Sequence, residues 1–191
     1  EDVRHAGVVA AAVEVAPVLR EHEALGHRLA EPELGERREV AGRVPLLIEI
    51  KDPTLASGPD VGKLPARVAE VLAGYQGPVA VMSFNPHVIA AFHKAAPDIA
   101  VGLTTCAYEA GEWPMLDAAT REHLASIADF DDVGASFISH DRADLENPAV
   151  TALKARGVPV LTWTIRSHGQ EVEARRIADN ITFEDYLANI G

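Results

Sequence analysis

Residues 44–50 read VPLLIEI, an unbroken apolar run rich in branched side chains that passes directly into Lys51. That pattern predicts a strand covered on both faces, as strands of a parallel sheet are. Similar runs return at 78–84 (PVAVMSF), 99–105 (IAVGLTT), 133–139 (VGASFIS), 158–164 (VPVLTWT) and 180–183 (NITF). Between them the apolar residues recur at helical spacing over 61–73, 86–95, 116–128, 148–156 and 168–178. Asn85-Pro86 and Asn147-Pro148 read as helix starts, with Asn as cap and Pro in the first turn.

Strict alternation of strand and helix predicts parallel strands joined by right-handed crossovers. An open dinucleotide-binding sheet would need a Gly-rich turn after its first strand, and neither G-x-G-x-x-G nor a Walker sequence is present. A barrel is favoured because polar residues close strand after strand: Glu49 and Lys51, Ser83 and Asn85, Thr104 and Thr105, Ser139 and His140, Trp163 and Thr164. In a (β/α)8 barrel such ends share one rim around one site. The expectation is therefore an α/β chain of (β/α)8 TIM-type barrel fold, incomplete or irregular in its first two strands. Residues 1–43 form an irregular N-terminal segment, and 44–191 a six-strand barrel portion, within one domain.

Ile48-Glu49-Ile50-Lys51 carries the most chemistry. Alternation puts Glu49 and Lys51 on one side of the strand and the isoleucines on the other. A carboxylate and an ammonium buried together cost several kcal/mol each unless they are paired or given a ligand. The carboxylate suits a hard divalent cation and the lysine a phosphate or a carbonyl; a structural ion pair is the competing reading.

Composition narrows the partners. Seventeen Lys and Arg against 29 Asp and Glu give a net charge of −12, which argues against nucleic acid or an anionic membrane as a general partner. A lone cysteine, Cys106, can form no internal disulfide and reads as a small buried apolar residue. No apolar run approaches the length of a membrane span, so a cytoplasmic location is expected. His140-Asp141 reads as a surface loop pair, His87, His93, His123 and His168 as helix-surface residues, and the run Asp129 to Asp132 as a solvated stretch at the barrel bottom.

Taken together, GRVPLLIEIK, VAVMSFNP, VPVLTWT and ADNITF resemble, in order and spacing, strands three to eight of the glycerophosphodiester phosphodiesterase family; the resemblance covers about residues 42–187. It implies a barrel that hydrolyses a small-molecule glycerophosphodiester to glycerol 3-phosphate and an alcohol, using Ca2+ or Mg2+ and two histidines as general acid and base. By the same resemblance Glu49 is a metal carboxylate, Lys51 binds phosphate, Ser83 contributes to substrate binding, and Trp163 lines the glycerol or headgroup side.

The family's opening motifs, H-R-G and E-x-D, are absent from residues 1–43. In one reading this segment is an eroded opening: Val13-Glu14-Val15 holds a strand with Glu14 as surviving ligand and Ala16 where an Asp should stand, while His22 is the second family histidine and His5 a displaced relic of H-R-G. In the other it is an unrelated helix with a solvated acidic face. A catalytically impaired relative that binds a phosphorylated ligand or a partner chain is the alternative function. A lysine-based aldolase-type barrel ranks last, since it needs a lysine free of Glu49. Missing strands would leave a sheet edge, for which a homodimer is the expected cover.

Overall fold

The computed structural model describes residues 11–14, 45–52 and 57–188, with only the backbone placed over 11–14. Among the described residues seven strands lie in one sheet in chain order: β1 (Ala11–Glu14), β2 (Leu46–Glu49), β3 (Val79–Ser83), β4 (Ala100–Thr105), β5 (Phe137–Asp141), β6 (Val160–Ile165) and β7 (Asn180–Phe183). Every neighbouring pair is parallel. Among the described residues five helices alternate with the strands from β2 onward: α1 (Leu64–Leu72), α2 (Pro86–Ala95), α3 (Ala118–Ala125), α4 (Pro148–Ala155) and α5 (His168–Ala174). This is the expected partial (β/α) barrel. It also holds a strand at Val13-Glu14, begun two residues earlier than expected.

Local sequence explains the helix starts. Asn85 and Asn147 each accept a hydrogen bond from the backbone N–H two residues on, at 2.9 Å, ahead of a proline in the first turn. Asp117 and Ser167 cap α3 and α5 by accepting from the backbone N–H three residues on, that of Thr120 and of Gln170. The fifth strand departs from expectation, starting at Phe137 rather than near residue 133. Gly134 takes a positive φ of 71°, and Ala135 N–H turns back to the Phe130 carbonyl. Pairing with β4 therefore begins only where Ser136 N–H reaches the Val101 carbonyl.

Strands β2, β3, β5 and β6 each have two covered faces. Toward the helices, Ile48, Val81, Leu103, Ile138 and Val160 pack with Ile89, Phe92 and Leu153 in the main core. On the other face, Leu47, Met82 and Phe137 form a second cluster with Ala80 and Leu161. Residues from β2, β3, β5 and β6 meet there because the sheet curls, so this face is concave and the cluster plugs its floor. Gly102 belongs to the same arrangement: a Cβ at that position would collide with the Phe137 ring.

Candidate functional site

The curl sorts the polar strand ends into two groups. Ser83, Thr105, His140 and Thr162 share the parity of the helix-facing core residues, whereas Glu49, Thr104, Ser139 and Trp163 share that of Leu47, Gly102, Phe137 and Leu161. The expectation of one common rim is thus corrected: only alternate polar positions face the hollow. Glu49 is 13% exposed and Lys51 36%, with Lys51 Nζ 3.0 Å from Glu49 Oε1. That carboxylate oxygen is shielded from solvent and has no hydrogen bond of normal geometry among the described residues. On β1, Glu14 stands at the register position beside Glu49.

Ser83, expected at the substrate, is fully buried on the helix side. Its hydroxyl donates to the Ile50 carbonyl at 2.7 Å and accepts from Asn85 N–H at 3.2 Å. Asn85, besides capping α2, donates through Nδ2 to Asp52 Oδ2 at 3.0 Å and to the Gly58 carbonyl at 2.9 Å. Asp52 Oδ2 also accepts from Ser57 N–H at 3.0 Å. The S-F-N segment is thus a clamp that fastens the end of β2, and Lys51 with it, to β3. Sequence reading misses Asn85 and Asp52 in this role; the available signal was a small polar residue just past each of two neighbouring strands, Asp52 three residues after β2 and Asn85 two after β3.

Above the hollow stands an aromatic wall. Phe84 lies 5.2 Å from Trp113 and 5.4 Å from Trp163 between ring centres, and Tyr108 lies 5.0 Å from Trp113. Trp163 donates its indole N–H to the Ser139 carbonyl at 3.0 Å, which fixes the ring over β5. Cys106 belongs to this cluster. Burial pushes its thiol up to about 11, so it is an inert packing residue, as expected.

His140 is not a surface residue. It is fully buried because it lies within β5 on the helix-facing side. Its Nδ1 meets Thr105 Oγ1 at 2.8 Å, and Nε2 meets both the Asp144 carboxylate and the Asp144 carbonyl at 3.1 Å. Burial holds its pKa below the ordinary histidine value, with Asp144 opposing the shift. A neutral ring that donates from Nε2 and accepts at Nδ1 satisfies all three partners. The unfolded chain then binds more protons, so this histidine stabilises the fold above its unfolded pKa of about 6.5, and that contribution is lost as pH falls below it. Melting between pH 7.5 and 5 should show a decline that flattens in His140→Gln, with an overall loss of about 1–3 kcal/mol from the stranded partners. A variant with the wild-type pH slope would refute the assignment.

Among the helical histidines, His123 pairs with Asp129 at 2.8 Å on the surface and His168 is exposed. His5 and His22 lie outside the described residues. A hard cation requires several oxygen ligands. The shielded Glu49 Oε1, whose described partner is the Lys51 ammonium at 3.0 Å, is an oxygen of the right kind for one such ligand, and Glu14 lies beside Glu49 in register. Among the described residues no three His, Cys, Asp or Glu gather closely enough to hold a metal ion. Lys51, paired and partly exposed, is unlike the desolvated, unpartnered amine that Schiff-base chemistry requires.

No protein-family model matches the chain, and no curated protein matches it. Solved structures do. A phosphodiesterase from Oleispira antarctica, solved in complex with the product sn-glycerol-3-phosphate, aligns with TM-score 0.53 at 20% identity, covering 73% of this chain and 51% of that one. A Silicibacter pomeroyi structure assigned to the glycerophosphoryl diester phosphodiesterases aligns with TM-score 0.58 at 18% identity, covering 78% and 52%. A glycerophosphodiester phosphodiesterase from Parabacteroides distasonis gives 0.53 at 16% identity, covering 78% and 56%. The fold is therefore that of the glycerophosphodiester phosphodiesterase structures, and the chain spans about half the length of those it matches. Among the described residues no helix is long and apolar enough to cross a membrane.

Proposed function

We propose that the chain supplies the phosphate-binding side of a metal-dependent phosphodiesterase that cleaves a water-soluble glycerophosphodiester to glycerol 3-phosphate and an alcohol. The observation that carries this reading is the Glu49–Lys51 pair, held at 3.0 Å at the end of β2 in a fold shared with phosphodiesterases. Barrel chemistry takes place at the carboxyl ends of the strands.

Lys51 binds a phosphoryl oxygen and offsets the charge that grows there in the transition state. Glu49 orients the ammonium and, with Glu14, would hold a Ca2+ or Mg2+ ion. When bound, such an ion supplies further charge neutralisation at the phosphate. The clamp of Ser83, Asn85 and Asp52 keeps this strand end in place. Trp163 and Phe84 present an apolar wall to the carbon skeleton. His22 and His5 are assigned the proton transfers, one of them protonating the departing alkoxide oxygen.

The test is release of glycerol 3-phosphate from glycerophosphocholine by the full chain in millimolar Ca2+ or Mg2+, measured with a coupled dehydrogenase. Release that EDTA abolishes and fresh cation restores is the expected result. Absence of release under every cation condition sinks the reading. A second reading, a relative that binds a phosphorylated ligand without turnover, is favoured by the described histidines, none of which shares the parity of the concave face. It predicts no release, together with a melting temperature that rises when glycerol 3-phosphate is added.

A further inference from the structure

Three rings from separate parts of the chain meet over the hollow. Phe84 and Trp163 follow the concave parity of Met82 and Leu161 at the carboxyl ends of β3 and β6, and Trp113 reaches them from the connection between β4 and α3. The two indoles each touch Phe84, at 5.2 and 5.4 Å between ring centres and interplanar angles of 48° and 82°. Among the described residues they form no ring contact with one another, so the three make a trough with Phe84 as its floor. All three rings keep partial exposure, whereas Tyr108 beside them is 2% exposed. The trough is also acidic. Asp141 stands in register with Trp163 on the same side of the sheet. Glu112 precedes Trp113, and its charge and that of Asp141 both push up the Cys106 thiol within the cluster. The carboxylates of Glu109 and Glu112 enter no ion pair among the described residues. Ring faces carry negative potential, and carboxylates around them deepen it. A quaternary ammonium suits such a place, because its charge is spread over methyl groups that shed water readily.

We infer that Phe84, Trp113 and Trp163, with Glu112 and Asp141, form a quaternary-ammonium subsite that selects the choline ester among phosphodiesters. Lys51 lies one strand away: Glu49 pairs with Met82, and Lys51 and Phe84 each follow two residues later. The link to an ester rests on the phosphate site proposed at Lys51; the ammonium subsite stands on the rings and acids alone.

Both tryptophans of the chain belong to this trough, so its intrinsic fluorescence reports the subsite. The full chain, held in EDTA to stop turnover, is titrated with choline, the neutral isostere 3,3-dimethylbutan-1-ol, glycerol 3-phosphate and glycerophosphocholine. Choline is expected to change the emission saturably and to bind about tenfold more tightly than the isostere. Trp113→Leu, read through Trp163, should shrink that preference to within about threefold. The double variant Glu112→Gln, Asp141→Asn should weaken choline about threefold and leave the isostere unchanged; Asn at 141 can still accept from Ala143 N–H, as Asp141 does at 3.0 Å. Equal melting temperatures establish that these proteins fold. Equal affinity for choline and its isostere overturns this inference alone, as does a preference unmoved by both variants. Glycerophosphocholine that binds more tightly than choline, by a margin that Lys51→Ala removes, makes the ammonium the headgroup of an ester. Equal affinity of those two ligands overturns the headgroup assignment. Choline binding without any binding of glycerol 3-phosphate overturns the phosphate site and leaves the ammonium subsite standing.

Discussion

Lys51→Ala should lower kcat/KM for glycerophosphocholine by about 10²–10³-fold, the scale seen when one preorganised electrostatic contact to a developing anion is removed. The loss should fall mainly on kcat, because the charge Lys51 meets grows in the transition state. Lys51→Arg should recover only part of the rate, since a planar fork replaces a point charge at the end of a stem of fixed reach. Stability should hardly change. Lys51 is 36% exposed, and solvent-screened pairs contribute about 0–1 kcal/mol. Glu49→Gln separates the two roles of the carboxylate: it preserves shape, releases the ammonium from its partner and weakens any response to added Ca2+ or Mg2+. Steady-state kinetics and thermal melts on the same samples decide the matter. A Lys51→Ala protein that turns over at the wild-type rate removes the pair from the chemistry, and one that unfolds shows the pair to be structural.

Phe137→Ala should be the most destabilising single change on the concave side, at about 3–5 kcal/mol. The ring is 7% exposed and fills the space that Gly102 leaves on the neighbouring strand. For a domain of this size such a loss lowers the melting temperature by roughly 10 °C. Gly102→Ala tests the same contact from the other side: its new methyl meets the ring and should cost about 1–3 kcal/mol through overpacking. Shortening the ring to leucine should relieve that clash, so the double variant Gly102→Ala, Phe137→Leu should be more stable than the sum of its single changes. Urea titration of the four proteins gives the coupling. Additive losses would mean that the ring and the glycine do not share one space.

Much of the fold is written in period and punctuation. Continuous branched runs such as PVAVMS announce strands covered on both sides, and Asn-Pro at 85 and 147 announces helix starts that both occur where expected. The start of the fifth strand is not legible in this way, because residues 133–136 have strand composition while Gly134 takes a left-handed turn. Nor is the place of His140 legible, because a histidine beside an aspartate has the composition of a surface loop. The ring is instead buried by partners thirty-five and four residues away in the chain.

By itself, the chain's pattern determined a parallel α/β sheet, the order of its elements and the sharing of one strand side by Glu49 and Lys51. Only the tertiary structure decided which side of each strand faces the hollow. Where both faces are covered by apolar neighbours, hydropathy alternates too weakly to tell them apart. The direction of curl then makes the choice: it turned Ser83 and His140 toward the helices and left Glu49, Thr104 and Ser139 on the concave wall.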